Sequence, residues 1–286
     1  MELDFLRYLE GIRTEALTKL FELITMLGEE MILVLLIVVI YFVIDKKLGS
    51  RILLIAVTSG CFNIVVKNIV KRPRPFTVGG ITPVRVETAT GYSFPSGHTQ
   101  SFAAWSTAFW IKYKKAWVGV FAVTGTILVA FSRMFLGVHY PSDVLVGATL
   151  GMAIAIFMSY LYDKVNDDKK LFLVVSLCLL PFAIFYLVKP DPEYESFFKL
   201  YAMLPGFLLG MIVEERYAPL QFDINNWKKI LRVVIGLACT LAVKEGLRLP
   251  LEAGIRGEFI MDAFRYMTMV FVVCGLCPIL FKKIKL

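Results

Sequence analysis

Charged residues are scarce in this sequence. Asp, Glu, Lys and Arg make up 19% of its 286 residues and hydrophobic residues 58%, whereas a soluble domain has about 25% charged and roughly 45–50% apolar residues. The mean hydropathy is +0.70. This composition excludes an ordinary soluble domain and indicates an integral membrane protein.

Histidine and cysteine are also rare, which argues against a metal cofactor or a disulfide framework. The two histidines, His98 and His139, belong to no cluster of His, Asp and Glu with metal-ligand spacing. The five cysteines all lie in apolar stretches. Cys274 and Cys277 form a single pair within one of these stretches, and we interpret them as buried small residues. We therefore predict no cofactor.

The net charge of +8 arises from short basic clusters between apolar runs. This pattern predicts no nucleic-acid partner. Residues 1–30 mix acidic and basic side chains, so they do not resemble a cleavable signal peptide.

Helical periodicity and hydropathy predict an all-α, polytopic transmembrane bundle. Residues 4–28 place apolar side chains at helical spacing among charged ones. They are expected to form an amphipathic helix in the membrane interface or, as an alternative, a first span. About nine spans are expected beyond it. They cover residues 31–44, 51–70, 99–111, 116–131, 143–162, 171–188, 198–213, 229–244 and 263–281.

The distribution of Lys and Arg orients these spans. Alternate connections are rich in these residues, and the positive-inside rule places them in the cytoplasm. The opposite connections are 67–98, 132–142, 189–197 and 245–262. The first of them breaks the rule because it also contains five bases. They are Lys67, Lys71, Arg72, Arg74 and Arg85.

Both histidines fall in connections assigned to the extracytoplasmic side. Pro95, Ser96, Gly97 and His98 precede an apolar helix that Ser96 is suited to cap. Free backbone amides at a helix N-terminus bind phosphate, and Gly97 would let an anion approach the backbone.

The second histidine precedes another predicted helix start. Pro141 fits a first helical turn, which places Asp143 within reach of His139. A carboxylate that holds one imidazole N–H leaves the other ring nitrogen free as a nucleophile.

Three cations complete the predicted site. Lys67, Arg74 and Arg133 could hold the oxygens of a transferring phosphoryl group. For Lys71, Arg72 and Arg85 we expect instead that the side chains snorkel to the membrane interface.

These residues resemble the three signature motifs of the type 2 phosphatidic acid phosphatases (PAP2). The motifs are Lys67 with Arg74-Pro75, then Pro95-Ser96-Gly97-His98, then Ser132-Arg133 with His139 and Asp143. The resemblance covers about residues 51–165. It implies a metal-free lipid phosphatase in which His139 is the nucleophile, Asp143 orients it and His98 is the general acid and base. Lys67, Arg74, Ser96, Gly97 and Arg133 would bind the phosphate.

The chain is expected to divide into a catalytic membrane core, residues 1–165, and additional C-terminal transmembrane helices, residues 166–286. Gly206 and Gly210 predict close helix packing, within the chain or in a homodimer. Charged residues that share the predicted side of the site could form a rim that selects the lipid headgroup. They are Lys244, Glu245, Arg248, Glu252 and Arg256, with Asp191 and Glu193.

The expected substrate is a lipid phosphate in the bilayer. Undecaprenyl diphosphate is placed first on family analogy and sidedness, followed by phosphatidic acid and phosphatidylglycerol phosphate. The same residues would also suit a lipid phosphotransferase or a vanadate haloperoxidase. A non-enzymatic lipid scramblase or transporter could bind phosphate at broken helices.

Overall fold

The computed structural model describes residues 1–247 and 254–286, and within them it is helical, with no strand. The first six α-helices lie between Glu2 and Tyr113. They are α1 (Glu2–Gly11), α2 (Glu15–Thr25), α3 (Glu30–Val39), α4 (Lys46–Val70), α5 (Pro75–Val78) and α6 (Gly97–Tyr113). Seven more complete the chain. They are α7 (Ala116–Phe135), α8 (Pro141–Val165), α9 (Asp168–Val188), α10 (Glu195–Tyr217), α11 (Asn226–Gly246), α12 (Gly254–Phe271) and α13 (Cys277–Lys283).

Six segments of the described chain are long and apolar enough to cross a membrane. They are Lys46–Val78, Ala116–Phe135, Pro141–Val165, Asp168–Val188, Pro192–Tyr217 and Gly254–Lys283. Glu15–Gly28 and Glu30–Ile44, which are bent by 51°, would add a seventh if they form one span. The predicted all-α, multi-pass architecture is confirmed.

Each of the nine predicted spans coincides with a helix, but three do not qualify as spans on their own. The helix at 99–111 has 17 residues, fewer than the ~20 needed to cross the hydrocarbon. The helix at 229–244 includes charged residues at both ends. The segment at 31–44 requires its bent partner.

The N-terminal segment is two helices, not the single amphipathic helix predicted for residues 4–28. The chain turns at Arg13, whose guanidinium donates to the carbonyl oxygens of Phe135 at 2.8 Å and Thr82 at 2.5 Å. Thr14 then caps α2. Leu6 and Leu9 are buried with Ile81, Phe135 and Tyr140, so part of the apolar face packs against protein.

Two compact units make up the chain. The first comprises Met1–Leu33 and Thr58–Tyr160, and the second comprises Val34–Val57 and Leu161–Leu286. These boundaries differ from the predicted division after residue 165, which stays a prediction.

In the first unit, glycines bring α8 against the start of α6. A Cβ at Gly147 would lie 2.6 Å from the carbonyl oxygen of Ser96, and one at Gly151 would clash with the carbonyl oxygen of Gln100. The two backbones can approach this closely only because both residues lack a side chain. This contact joins the segments that carry the two histidines.

In the second unit, Gly206 and Gly210 pack within the chain. A Cβ at Gly206 would lie 2.5 Å from the carbonyl oxygen of Met267, and one at Gly210 would lie 3.0 Å from Cβ of Cys274. Cys274 and Cys277 are buried free thiols. The glycine pair therefore has a packing role inside the unit, while the homodimer stays a prediction.

Candidate active site

Ser96 precedes α6 and ties its start to α8. The Ser96 amide donates to the carbonyl oxygen of Asp143 at 3.0 Å, and its hydroxyl lies 3.1 Å from that of Thr99. The helix begins at Gly97, directly after Ser96 as predicted, but the Ser96 side chain forms no capping hydrogen bond to a backbone amide. The first amides of a helix have no partner within it, so this turn can present N–H groups to an anion.

His139 lies in the turn between α7 and α8, next to Asp143. Gly137 adopts a φ of +76°, a conformation that glycine tolerates best. Pro141 begins α8 and Asp143 lies in its first turn, as predicted. Nδ1 of His139 lies 3.4 Å from Oδ2 of Asp143, a long hydrogen bond of the kind that often tightens when substrate binds.

Arg74 contacts the opposite nitrogen of the imidazole. Its Nη1 lies 3.3 Å from Nε2 of His139 and donates to the carbonyl oxygen of Val138 at 3.0 Å, and its Nε donates to the carbonyl oxygen of Gly91 at 2.8 Å. The guanidinium is buried. With Nδ1–H directed at Asp143, Nε2 carries a lone pair that faces this cation.

The surroundings of His139 favour the neutral imidazole. Burial, followed by the positive charges of Arg74 and Arg133, lowers the pKa of His139 well below its ordinary value. A neutral ring at physiological pH is the form that can act as a nucleophile.

Two other predicted residues have polar atoms without a partner among the described residues. Nε2 of His98 and both Nε and Nη2 of Arg133 are buried and form no hydrogen bond there. Nη1 of Arg133 donates to the hydroxyl of Thr25 at 3.0 Å. Unsatisfied buried N–H groups are costly, and their presence points to an acceptor that a ligand could supply.

The predicted cations act on both histidines. Arg74 and Arg133 influence His98 and His139 electrostatically, and Lys67 influences His139. Lys67 also donates to the carbonyl oxygen of Tyr92. The structure thus brings the predicted residues of all three motifs into one region of the first unit.

Arg72 was wrongly expected to snorkel to the interface. Its Nη1 donates to Asp143 at 2.8 Å and to the hydroxyl of Ser142 at 2.6 Å, and its guanidinium lies 3.8 Å from the ring centre of Tyr140. Arg85 likewise forms an ion pair with Glu29 at 2.8 Å. Lys67, Lys71, Arg72 and Arg74 lie within eight residues, and no local signal separated their roles.

Ser93 and Asn63 are further residues that sequence analysis missed. The Ser93 hydroxyl donates to Asp143. Asn63 donates to the side chain of Gln100 at 2.8 Å, and Gln100 donates to the carbonyl oxygen of Ser59 at 2.9 Å. These buried bonds fix α4 against α6 beside the site.

Within residues 1–247 and 254–286, no group of three or more His, Cys, Asp or Glu side chains could hold a metal ion. The fold and the site define a class of protein: a multi-pass membrane protein with paired histidines, a carboxylate and buried cations in one region.

Comparisons with known proteins specify the family. Residues 49–167 match the PAP2 superfamily, and residues 198–286 match the transmembrane extension of PAP2 superfamily phosphatases. Phosphatidylglycerophosphatase B of Bacillus subtilis is 32% identical over 171 residues, which are 54% of this chain and 80% of that protein. The chain therefore belongs to the PAP2 superfamily.

Two other curated relatives match over a smaller part of their length. Undecaprenyl-diphosphatase of Sulfolobus acidocaldarius is 29% identical over 44% of this chain and 60% of its own length. Glucose-6-phosphatase catalytic subunit 1 of Mus musculus is 28% identical over 52% of this chain and half of its own.

A solved structure shares the fold over part of this chain. The transmembrane PAP2-type phosphatidylglycerolphosphate phosphatase from Bacillus subtilis is 28% identical with a TM-score of 0.51. The match covers 57% of this chain and 85% of that one.

Proposed function

We propose that the chain is an integral-membrane phosphatase that hydrolyses a lipid phosphate or diphosphate through a phosphohistidine intermediate on His139. The observation that carries this proposal is the position of the His139 ring. Nδ1 lies 3.4 Å from Asp143 and Nε2 lies 3.3 Å from Arg74. A phosphoryl group held by Arg74 would therefore meet the nucleophilic nitrogen.

The phosphate would bind among groups that need an acceptor. The unpartnered N–H groups of Arg133 can each donate to a phosphate oxygen. Arg74, Lys67 and the first turn of α6 at Ser96 and Gly97 add further donors and positive charge.

The first chemical step transfers the phosphoryl group to the protein. Nε2 of His139 attacks phosphorus, and the bond from phosphorus to the lipid oxygen breaks. His98 donates a proton to the departing oxygen. The His139 ring becomes positively charged, and the carboxylate of Asp143 stabilises this charge.

The second step returns the enzyme to its starting state. His98 accepts a proton from a water molecule as that water attacks phosphorus. The bond between phosphorus and Nε2 breaks, orthophosphate leaves and His139 is neutral again. Both steps use cations that belong to the protein, so we expect no requirement for a metal ion.

We place the site on the extracytoplasmic face, because the basic clusters of the alternate connections orient the helices in this way. Undecaprenyl diphosphate is the first substrate to test, followed by phosphatidic acid and phosphatidylglycerol phosphate. The support is the predicted sidedness together with relatives that are named for lipid phosphates and diphosphates.

The test is phosphate release by purified protein in detergent with EDTA. The substrates are the three lipids and glucose 6-phosphate, and the variant is His139→Ala. Turnover of a lipid that survives EDTA and falls about 10⁴-fold or more in the variant is expected, since loss of a nucleophile has effects of this size. Rapid quenching should trap a phosphoryl group on wild-type protein that is stable in base and labile in acid.

Other outcomes identify competing functions. Phosphate appearing on an added alcohol instead of in water would indicate a phosphotransferase. Release from glucose 6-phosphate alone would contradict a lipid substrate. Activity unchanged in His139→Ala would overturn the mechanism.

A further inference from the structure

The first 29 residues lie outside the segment that matches the PAP2 superfamily, yet they contact its motif residues. We propose that this N-terminal segment completes the active site, with Glu2 and Thr25 as positioning residues. Glu2 would hold Asp143 through Arg72, and Thr25 would hold Arg133. The inference rests on the proposed phosphatase function, and it gives two residues of this chain a defined part in it.

Glu2 connects the N-terminal helix to the start of α8. Oε1 accepts hydrogen bonds from the amide of Ser142 at 2.9 Å and from its hydroxyl at 2.7 Å. Oε2 accepts from Nη2 of Arg72 at 2.6 Å. Ser142 immediately precedes Asp143, so this one carboxylate contacts both the backbone beside Asp143 and its arginine partner.

The carboxylate of Glu2 is held in its charged form. Burial alone would raise the pKa of Glu2, but the hydrogen bonds from Ser142 and Arg72 and the charge of Arg72 outweigh it, and the pKa is lowered. Glu2 is therefore ionised at neutral pH.

Arg72 consequently lies between two carboxylates. Its other nitrogen, Nη1, donates to Oδ1 of the buried Asp143 at 2.8 Å. Without Glu2, Arg72 would pair with Asp143 alone. Its positive charge would then offset the negative charge of Asp143 that His139 needs when its ring becomes cationic. Glu2 balances Arg72 and so leaves the charge of Asp143 available to His139.

Thr25 has the corresponding place beside the phosphate-binding arginine. Its hydroxyl accepts from Nη1 of Arg133 at 3.0 Å, and both side chains are fully buried. Thr88 accepts from the same nitrogen at 3.4 Å. Holding Nη1 fixes the plane of the guanidinium, which directs the unpartnered Nε–H and Nη2–H groups.

The turn that follows Thr25 touches the second histidine. A Cβ at Gly28 would lie 2.6 Å from the carbonyl oxygen of His98, so the segment passes directly against the first turn of α6. The ion pair between Glu29 and Arg85 and a hydrogen bond from Arg85 to the carbonyl oxygen of Glu22 anchor it. The segment thus contacts the backbone of His98 and the side chain of Arg133, and it reaches Asp143 through Arg72.

Two pairs of variants separate positioning from a general structural role. Thr25→Val removes the hydroxyl and keeps the shape, whereas Thr25→Ser keeps the hydroxyl. Glu2→Gln removes the charge, and Glu15→Gln is its control, because Glu15 is exposed and pairs with the exposed Lys19. Each variant is compared with wild type for kcat, KM, pH profile and binding of orthovanadate by calorimetry.

We expect Thr25→Val to weaken vanadate binding and lower kcat/KM by about 10-fold or more, the usual effect of a lost hydrogen bond to a charged group. Thr25→Ser should stay within about 2-fold of wild type, since it retains this bond. Glu2→Gln should lower kcat by about 10-fold with KM nearly unchanged. It should also move the acid limb of the profile to lower pH, because the unbalanced charge of Arg72 disfavours protonation of His139.

Specific results would overturn the inference. They are vanadate binding by Thr25→Val equal to that of wild type, or a Glu2→Gln profile that matches that of Glu15→Gln. If wild type turns over none of the substrates yet binds vanadate, the phosphatase proposal fails. The two Thr25 variants would then still test whether Thr25 positions Arg133. Wild type that neither binds nor turns over would reject both.

Discussion

Each compact unit contains a cluster of buried and half-buried charges, and the two clusters differ in how their cations are paired. In the second unit, Lys199 pairs with Glu195 at 2.5 Å and with Asp262 at 3.4 Å, and Arg265 pairs with Asp262. In the first unit, Arg133 forms no ion pair with a described carboxylate and keeps two N–H groups without a partner.

This difference separates a structural network from a ligand site. Charges that neutralise one another inside the protein stabilise packing and have little left to offer a ligand. A fully buried arginine without a carboxylate partner is costly until an anion binds. The unpaired charge of Arg133 therefore favours an anion, as the proposed phosphate site requires, whereas the cations of the second cluster already have carboxylate partners.

The charged rim predicted for the C-terminal half belongs to this comparison. Lys244 and Glu245 line a cavity of about 460 Å³ together with Glu195, Lys199 and Asp262. Arg256 instead donates to the carbonyl oxygens of Leu187 and Val188 at the end of α9, which satisfies a helix C-terminus. Arg248 and Glu252 lie outside the described residues. A role of the rim in selecting the headgroup stays a prediction.

The distinction between the two clusters is tested most directly by removing one charge from each. Arg133→Ala should lower kcat/KM by about 10³-fold, since a buried phosphate-binding arginine acts in the transition state. Asp262→Asn leaves Lys199 and Arg265 less compensated and should destabilise the protein by roughly 3 kcal/mol. Its kcat/KM per folded molecule should be retained. Phosphate release and thermal unfolding in detergent measure both.

The reverse pattern would contradict the distinction between the clusters. Full activity in Arg133→Ala would show that this arginine does not bind the phosphate. A folded Asp262→Asn protein that has lost turnover would show that the second cluster takes part in catalysis.

Substitutions at two glycines of the proposed site test it further, and their expected effects are smaller. A Cβ at Gly97 would lie 3.5 Å from Oδ1 of Asn63, an ordinary contact. Gly97→Ala should therefore fold normally and lose about 10-fold in kcat/KM, because its methyl group shields amides that a phosphate would contact. Gly28→Ala forces the backbone of His98 to move and should cost roughly 1–3 kcal/mol of stability as well.

Thermal unfolding distinguishes these two variants. Destabilisation of Gly97→Ala equal to that of Gly28→Ala would mean that Gly97 has a packing role. Wild-type stability of Gly97→Ala together with reduced activity would support close approach of the anion.

The smallest expected effect concerns the charge beside His139. Because burial, and after it the charge of Arg74, lowers the pKa of His139, the wild-type acid limb should lie below pH ~6.5, the ordinary histidine value. Arg74→Met removes a positive charge, which favours the protonated ring and raises its pKa. In the activity that remains without this proposed phosphate-binding arginine, the acid limb should then move to higher pH.

Lys19→Met is the control for this shift, because Lys19 is exposed and bonds to Glu15. An acid limb that stays in place in Arg74→Met would remove Arg74 as a cause of the lowered pKa.

Local sequence signals were sufficient where a helix begins beside a motif. Ser96 and Pro141 mark the starts of α6 and α8, and the spacing of His139 and Asp143 placed them four residues apart at one helix end. These relations depend on a few neighbouring residues and their backbone preferences. The number of spans did not follow from local signals. Because α6 is short and α11 contains charged residues, the position of each helix depends on the helices that pack against it.

Contacts between distant residues were not predictable in this way. Glu2 and Arg72 are 70 residues apart, and Thr25 and Arg133 are 108 apart. Composition and periodicity show that a helix has an apolar face, but they do not identify what covers that face. For this reason they assigned the N-terminal segment to the membrane interface.

Hydropathy and short motifs are properties of local chain segments, so the amino-acid sequence was enough to predict a helical, multi-pass membrane protein with PAP2 motifs. Only the tertiary structure decided which of several nearby cations reach the site and that the N-terminal segment lies against it. The physical reason is that charge pairing and close helix packing depend on positions in space. Gly147 against Ser96 and Glu2 against Arg72 become neighbours only when the chain folds.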